Sequence, residues 1–158
     1  MRLTQQNESA ALPLLEKELL MAWATQTLPD RTWCVIRMRI ATSGHAERSV
    51  HVHGGPERLA FHHEWVVLPG GAVSAIIDSA RAAHDERAAL PDPEPDPQTL
   101  YRRITFRADG DVQKTLLVEY RDGVAVGPAA GFEATWHLLA SYFSTSRMEH
   151  GSMAALAW

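Results

Sequence analysis

Apolar residues near the start of the chain recur at helical spacing. Leu12, Leu15, Leu19, Ala22 and Trp23 fall on one stripe running toward Gln26, with Glu16, Lys17 and Glu18 on the wet side. The spacing predicts a first helix opening near Leu12, with Pro13 in its first turn, where a missing N–H is tolerated. It must stop before Leu28-Pro29, because proline disfavours the α conformation in the residue before it.

The period then changes from helical to two. Cys34, Ile36, Met38 and Ile40 alternate with Trp33, Val35, Arg37 and Arg39, the pattern of a half-buried strand. The loop Thr42 to His45 reverses the chain into a short strand, Ser49 to His53. Gly54-Gly55-Pro56 turns it again into a strand from Leu59 to Leu68, closed by Pro69-Gly70-Gly71. A second helix is expected from Val73 to Ala89, with Val73, Ile76, Ile77, Ala80 and His84 on one face and Asp78, Arg81, Asp85 and Glu86 on the other.

Pro91 to Pro97 places prolines at alternate positions around Asp92, Glu94 and Asp96. Such a segment continues neither helix nor sheet and reads as an extended acidic loop. Leu100–Arg107 and Val112–Tyr120 then form a hairpin about the polar turn Ala108 to Asp111. Asp122-Gly123 gives a further turn, with a short extension through Val124 and Val126. A last helix runs from Phe132 through Trp136 and Phe143; no structure is assigned to the tail, 144–158. Strands joined consecutively by short turns, without βαβ alternation, imply an antiparallel sheet. The expected fold is α+β: a meander sheet of five to six strands with helices on one side, in one domain over residues 1–158.

Composition narrows this picture. At 158 residues, 46% hydrophobic and 22% charged, the chain is long and apolar enough for its own core. A net charge of −4 argues against a nucleic-acid partner, which draws on a basic stripe. No apolar run approaches a membrane span, and the first residues lack the apolar centre of a signal peptide. The lone Cys34 sits in an apolar run and has no intrachain partner. These features lead us to expect a cytoplasmic protein.

Candidate chemistry is sparse. His51, His53, His62 and His63 form the one cluster that resembles a metal site. If residues 53 and 59 close the hairpin, His51, His53 and His63 share a sheet face with Phe61 and Trp65. Glu47 and Glu64 do not stand at ligand spacing from them, so we expect no tightly bound metal and no cofactor. The face offers instead an alternative reading, a small enzyme or ligand-binding domain that uses those histidines. No serine lies in a nucleophile elbow, and Gly54-Gly55 and Gly70-Gly71 are too short for a phosphate loop. Arg102, Arg103 and Arg107, beside Asp109, Asp111 and Glu119, read as a solvated mixed-charge face.

The order of elements and two motifs carry a resemblance. Leu28, Pro29, Trp33, Ile36 and Met38 follow the first expected helix. Thr105, Phe106, Asp109, Gly110, Val112, Val118, Glu119 and Tyr120 make the later hairpin. Over residues 12 to 122 the chain resembles the YezG-like immunity proteins of bacterial polymorphic toxin systems. The resemblance implies a small cytosolic protein that binds and neutralises a cognate toxin, commonly a nuclease, without catalysis of its own. Acidic groups would meet such a basic partner: Asp92, Glu94 and Asp96 on the loop, with Asp78, Asp85 and Glu86 on the helix before it.

Overall fold

Ten residues that carry the spacing of an amphipathic helix run instead as the central strand of a sheet. In the computed structural model, which describes residues 14–15, 17–27, 33–53, 60–90, 100–110 and 112–143, β1 spans Glu18–Thr27. It pairs antiparallel with β2 (Trp33–Ala41) on one side and β5 (Leu100–Asp109) on the other. Leu20, Ala22 and Ala24 are buried on one face, and Met21 and Trp23 on the other. A strand buried on both faces loses its alternation, and a short apolar run then cannot be told from a buried helix by periodicity. The expected first helix is therefore corrected to a strand over Glu18–Thr27. Glu18, assigned to the wet side, is buried at the start of β1 against Arg39, with Nε 2.8 Å from its carboxylate.

β3 (His45–His53) and β4 (Ala60–Val67) continue from β2 as a meander, and β6 (Val112–Arg121) and β7 (Val124–Ala125) continue from β5. The sheet has seven strands in the order β4-β3-β2-β1-β5-β6-β7, with every neighbouring pair antiparallel. The architecture is thus α+β with an antiparallel meander sheet, carrying more strands than the five to six expected because β1 is one of them. The sharp turn before β3 requires glycine. Gly44 has φ 88°, and a Cβ there would stand 3.0 Å from the Leu68 carbonyl oxygen.

Two helices, α1 (Gly70–Arg87) and α2 (Ala130–Ala140), pack on one face of the sheet. Ala72, Ile76, Ala80 and Ala83 of α1, with Phe132, Trp136 and Leu139 of α2, meet Ile36, Met38, Val50, Ile104, Phe106, Leu116 and Val118 in one core. This core joins residues on both sides of the 91–97 segment, which itself lies outside the described residues. Small residues let the helices approach closely. Gly131 donates its N–H to Glu86 Oε2 at 3.1 Å, and Ser79 Oγ lies 2.7 Å from Thr135 Oγ1.

Alternation also separates the three arginines of β5. Arg102 points to the helix side, where its guanidinium lies 4.5 Å from the Tyr120 ring and 5.6 Å from the Trp136 ring. Burial pushes the Tyr120 phenol up to about 12, against the opposing pull of Arg102. Arg103 is buried on the opposite face over Trp23. Arg107 donates from Nε to the Glu18 carbonyl at 2.8 Å and from Nη2 to the Leu15 carbonyl at 3.0 Å. The solvated arginine face read from the sequence is corrected accordingly: Arg102 and Arg103 stand on opposite faces, and all three are engaged with the fold. Among the described residues no helix is long and apolar enough to cross a membrane.

Candidate functional site

The helix-free face of β2, β3 and β4 gathers most of the chemistry-bearing side chains at the surface. Its registers pair Trp33 with His53, Val35 with His51, Ser49 with His63 and Glu47 with Trp65. The hairpin register assumed for residues 53 and 59 is the one continued by His51 with Phe61, so His51, His53, His63 and Trp65 fall on a single face. The side chains of Phe61 and His62 lie outside those described.

Geometry divides these groups into two sets. Trp33 stacks on His53 with ring centroids 4.3 Å apart, and His53 stacks on His51 at 6.0 Å. His63 belongs to the other set: its Nε2 is 3.9 Å from Glu47 Oε1, which also meets His45 Nε2 at 3.0 Å. His45 stacks in turn on Trp65 at 5.6 Å. Partial burial, then His53 and Arg37, hold the His51 pKa below its ordinary value of 6.5. Among the described residues, no three His, Cys, Asp or Glu side chains are placed to hold a metal ion. What the face offers is stacked rings, half-exposed imidazoles and one shared carboxylate, a surface suited to contact.

The expected acidic groups separate as well. Asp78 and Asp85, two turns apart on α1, have side chains 72% and 73% exposed. Their partners are on the same helix, the Arg81 guanidinium 3.6 Å from Asp78 and the His84 imidazole 4.0 Å from Asp85. Glu86 turns the other way and accepts the Gly131 N–H at the start of α2, where a carboxylate is favoured by the exposed amides and helix dipole. Asp92, Glu94 and Asp96 lie outside the described residues.

Sequence reasoning gave no sign of a cavity of about 260 Å³ at the end of α1, lined by His84, Arg87, Leu90 and β6 residues 115–117. It forms where the helix end overhangs the sheet, a tertiary juxtaposition without a local signature. The sequence did carry a sign for the Trp33–His53 stack, since both residues sit at the ends of strands predicted to be adjacent. No family model, curated protein or solved structure matches this chain.

Proposed function

We infer that this chain is a non-enzymatic immunity-type protein that binds and neutralises a cognate protein toxin, as its resemblance to YezG-like immunity proteins implies. The observation that carries the choice of surface is the pair Asp78 and Asp85, both largely exposed on the outer side of α1 although Arg81 lies 3.6 Å from Asp78. In sequence the helix is followed by Asp92, Glu94 and Asp96, which continue its acidic character. A basic partner such as a nuclease would be steered toward this side, since complementary fields raise on-rates and select the partner. Five of the motif residues, Ile36, Met38, Phe106, Val118 and Tyr120, lie in the core, whereas the element before Leu28 and Pro29 is strand β1 rather than the helix of the resemblance.

The test is co-expression with the protein encoded beside this chain's gene. Restored growth and a co-purifying complex are expected. Toxicity undiminished by the chain, with no complex, would overturn the reading.

A second reading has one observation in its favour, the stacked His51, His53 and Trp33 with the lowered His51 pKa. Under it the chain is a small enzyme or ligand-binding domain that uses the histidine face, with His63 at its border. A His51→Ala, His53→Ala variant that still protects cells from the toxin would set this reading aside.

A further inference from the structure

The two edges of the sheet are treated differently. β7 ends one edge with two residues, too short to template another strand. β4 ends the other with eight, and among the described residues no strand pairs with its outer side. Sheet edges are normally blunted by lysine, proline, a bulge or an inward-pointing charge, and the one inward carboxylate of β4 is already balanced by Arg48 of β3. Ala60–Val67 contains no lysine, arginine or proline, and its register with β3 runs from His45↔Val67 to Val52↔Ala60 without a shift. Its one carboxylate, Glu64, is turned inward beside Arg48, with 3.8 Å between Arg48 Nη2 and Glu64 Oε2. Trp65 and Val67, by contrast, are 63% and 62% exposed on the helix-free face.

We propose that β4 is the homodimer edge of this protein, pairing antiparallel with β4 of a second copy about a two-fold axis. The copy is the occupant that these features fit. The whole sheet is already antiparallel, so a two-fold mate continues the same ladder and presents an identical, equally unblunted edge. The strand adds no unpaired charge to repel its own image.

The register follows from the side chains. Keeping both helix layers on the same side requires opposed residues to share a face. Centring the axis on Glu64 would set two carboxylates against each other. Centring it on His63 would give a longer overlap but oppose two imidazoles. The register centred on Trp65 avoids both and opposes Trp65 to Trp65 of the copy, His63 to Val67 and Glu64 to Val66. It covers the largest exposed ring of the strand with its own image, an aromatic cross-strand pair of the kind that stabilises sheets.

The proposal is independent of the toxin-binding reading, because the test needs no toxin. The full chain is examined by sedimentation, beside a Trp65→Lys, Val67→Lys variant whose changes fall on exposed positions. Circular dichroism of the variant establishes that it is folded. Wild type is expected at twice the mass of one chain at micromolar concentration, and the folded variant at the mass of one chain. Cysteines placed singly at the edge test the register, Cys34 being buried away from it. Mild oxidation is expected to link Trp65→Cys chains into a disulfide dimer and to leave Val67→Cys chains unlinked. A wild-type monomer at about 100 µM would overturn the proposal, since an interface that weak is not a specific dimer. A dimer that survives the paired lysines, or links through Val67→Cys alone, would overturn it equally.

Discussion

Arg103 lies with its guanidinium 5.8 Å from the centre of the Trp23 ring, and both side chains are 2% exposed on the face of the sheet opposite the helices. They are cross-strand partners in the β1–β5 register, with Arg37 flanking Trp23 on β2. The middle of this sheet is therefore buried on both faces, and its second face is held partly by a cation over an aromatic ring.

Trp23→Ala is expected to lower the unfolding free energy by about 3–5 kcal/mol, the usual range for a fully buried tryptophan. A double-mutant cycle with Arg103→Met should return a coupling of about 0.5–2 kcal/mol in favour of the native pair. Chemical denaturation of the four proteins measures both. Additive effects would show that the ring and the guanidinium do not interact.

Two glycines on the helix layer should respond with opposite signs. A Cβ at Gly131 would stand 3.0 Å from Ala83 Cα and 2.5 Å from Glu86 Oε2, so Gly131→Ala must push the helices apart. The expected loss is about 1–3 kcal/mol, as for other overpacked contacts. Gly71, inside α1, has nothing within 4 Å of the added atom. Gly71→Ala should stabilise by about 0.5–1 kcal/mol through the lower entropy of the unfolded chain and better helix propensity. Thermal melts of the two variants against wild type decide it.

Stability should fall on mild acidification. The His51 pKa is held below 6.5 first by burial and then by His53 and Arg37. A base whose folded pKa is depressed binds its proton less readily in the native state than when unfolded. Its contribution is complete above pH 6.5 and is lost as pH falls through the folded value. Urea midpoints between about pH 7 and pH 5 should decline for wild type and decline less for His51→Gln. Parallel curves would remove His51 from the effect.

Much of the fold was legible because half-buried strands announce themselves. Cys34 to Ile40 and Val112 to Tyr120 alternate because one side of each strand meets the helices, and both lie where their patterns place them. β1 was illegible for the converse reason: Met21 and Trp23 are buried on one face and Leu20 and Ala22 on the other, leaving no polar side to fix the period. The histidine face was readable from parity alone, since the hairpin register puts His51, His53 and His63 together. The separation of Arg102 from Arg103 was equally available, as neighbours on a strand point to opposite faces. The role of Glu86 was not: its N–H donor, Gly131, is remote in sequence and meets it only when the helices pack.

The central claim, that an acidic side of this protein captures a basic toxin, is tested most directly by the association rate constant with the protein encoded beside its gene. The measurement compares wild type with Asp78→Asn, Asp85→Asn at low and moderate salt. A drop of about tenfold in on-rate at low salt, with a shallower salt dependence and little change in off-rate, is the predicted result. An unchanged on-rate and salt dependence, or no association of the wild-type chain at all, would contradict the account.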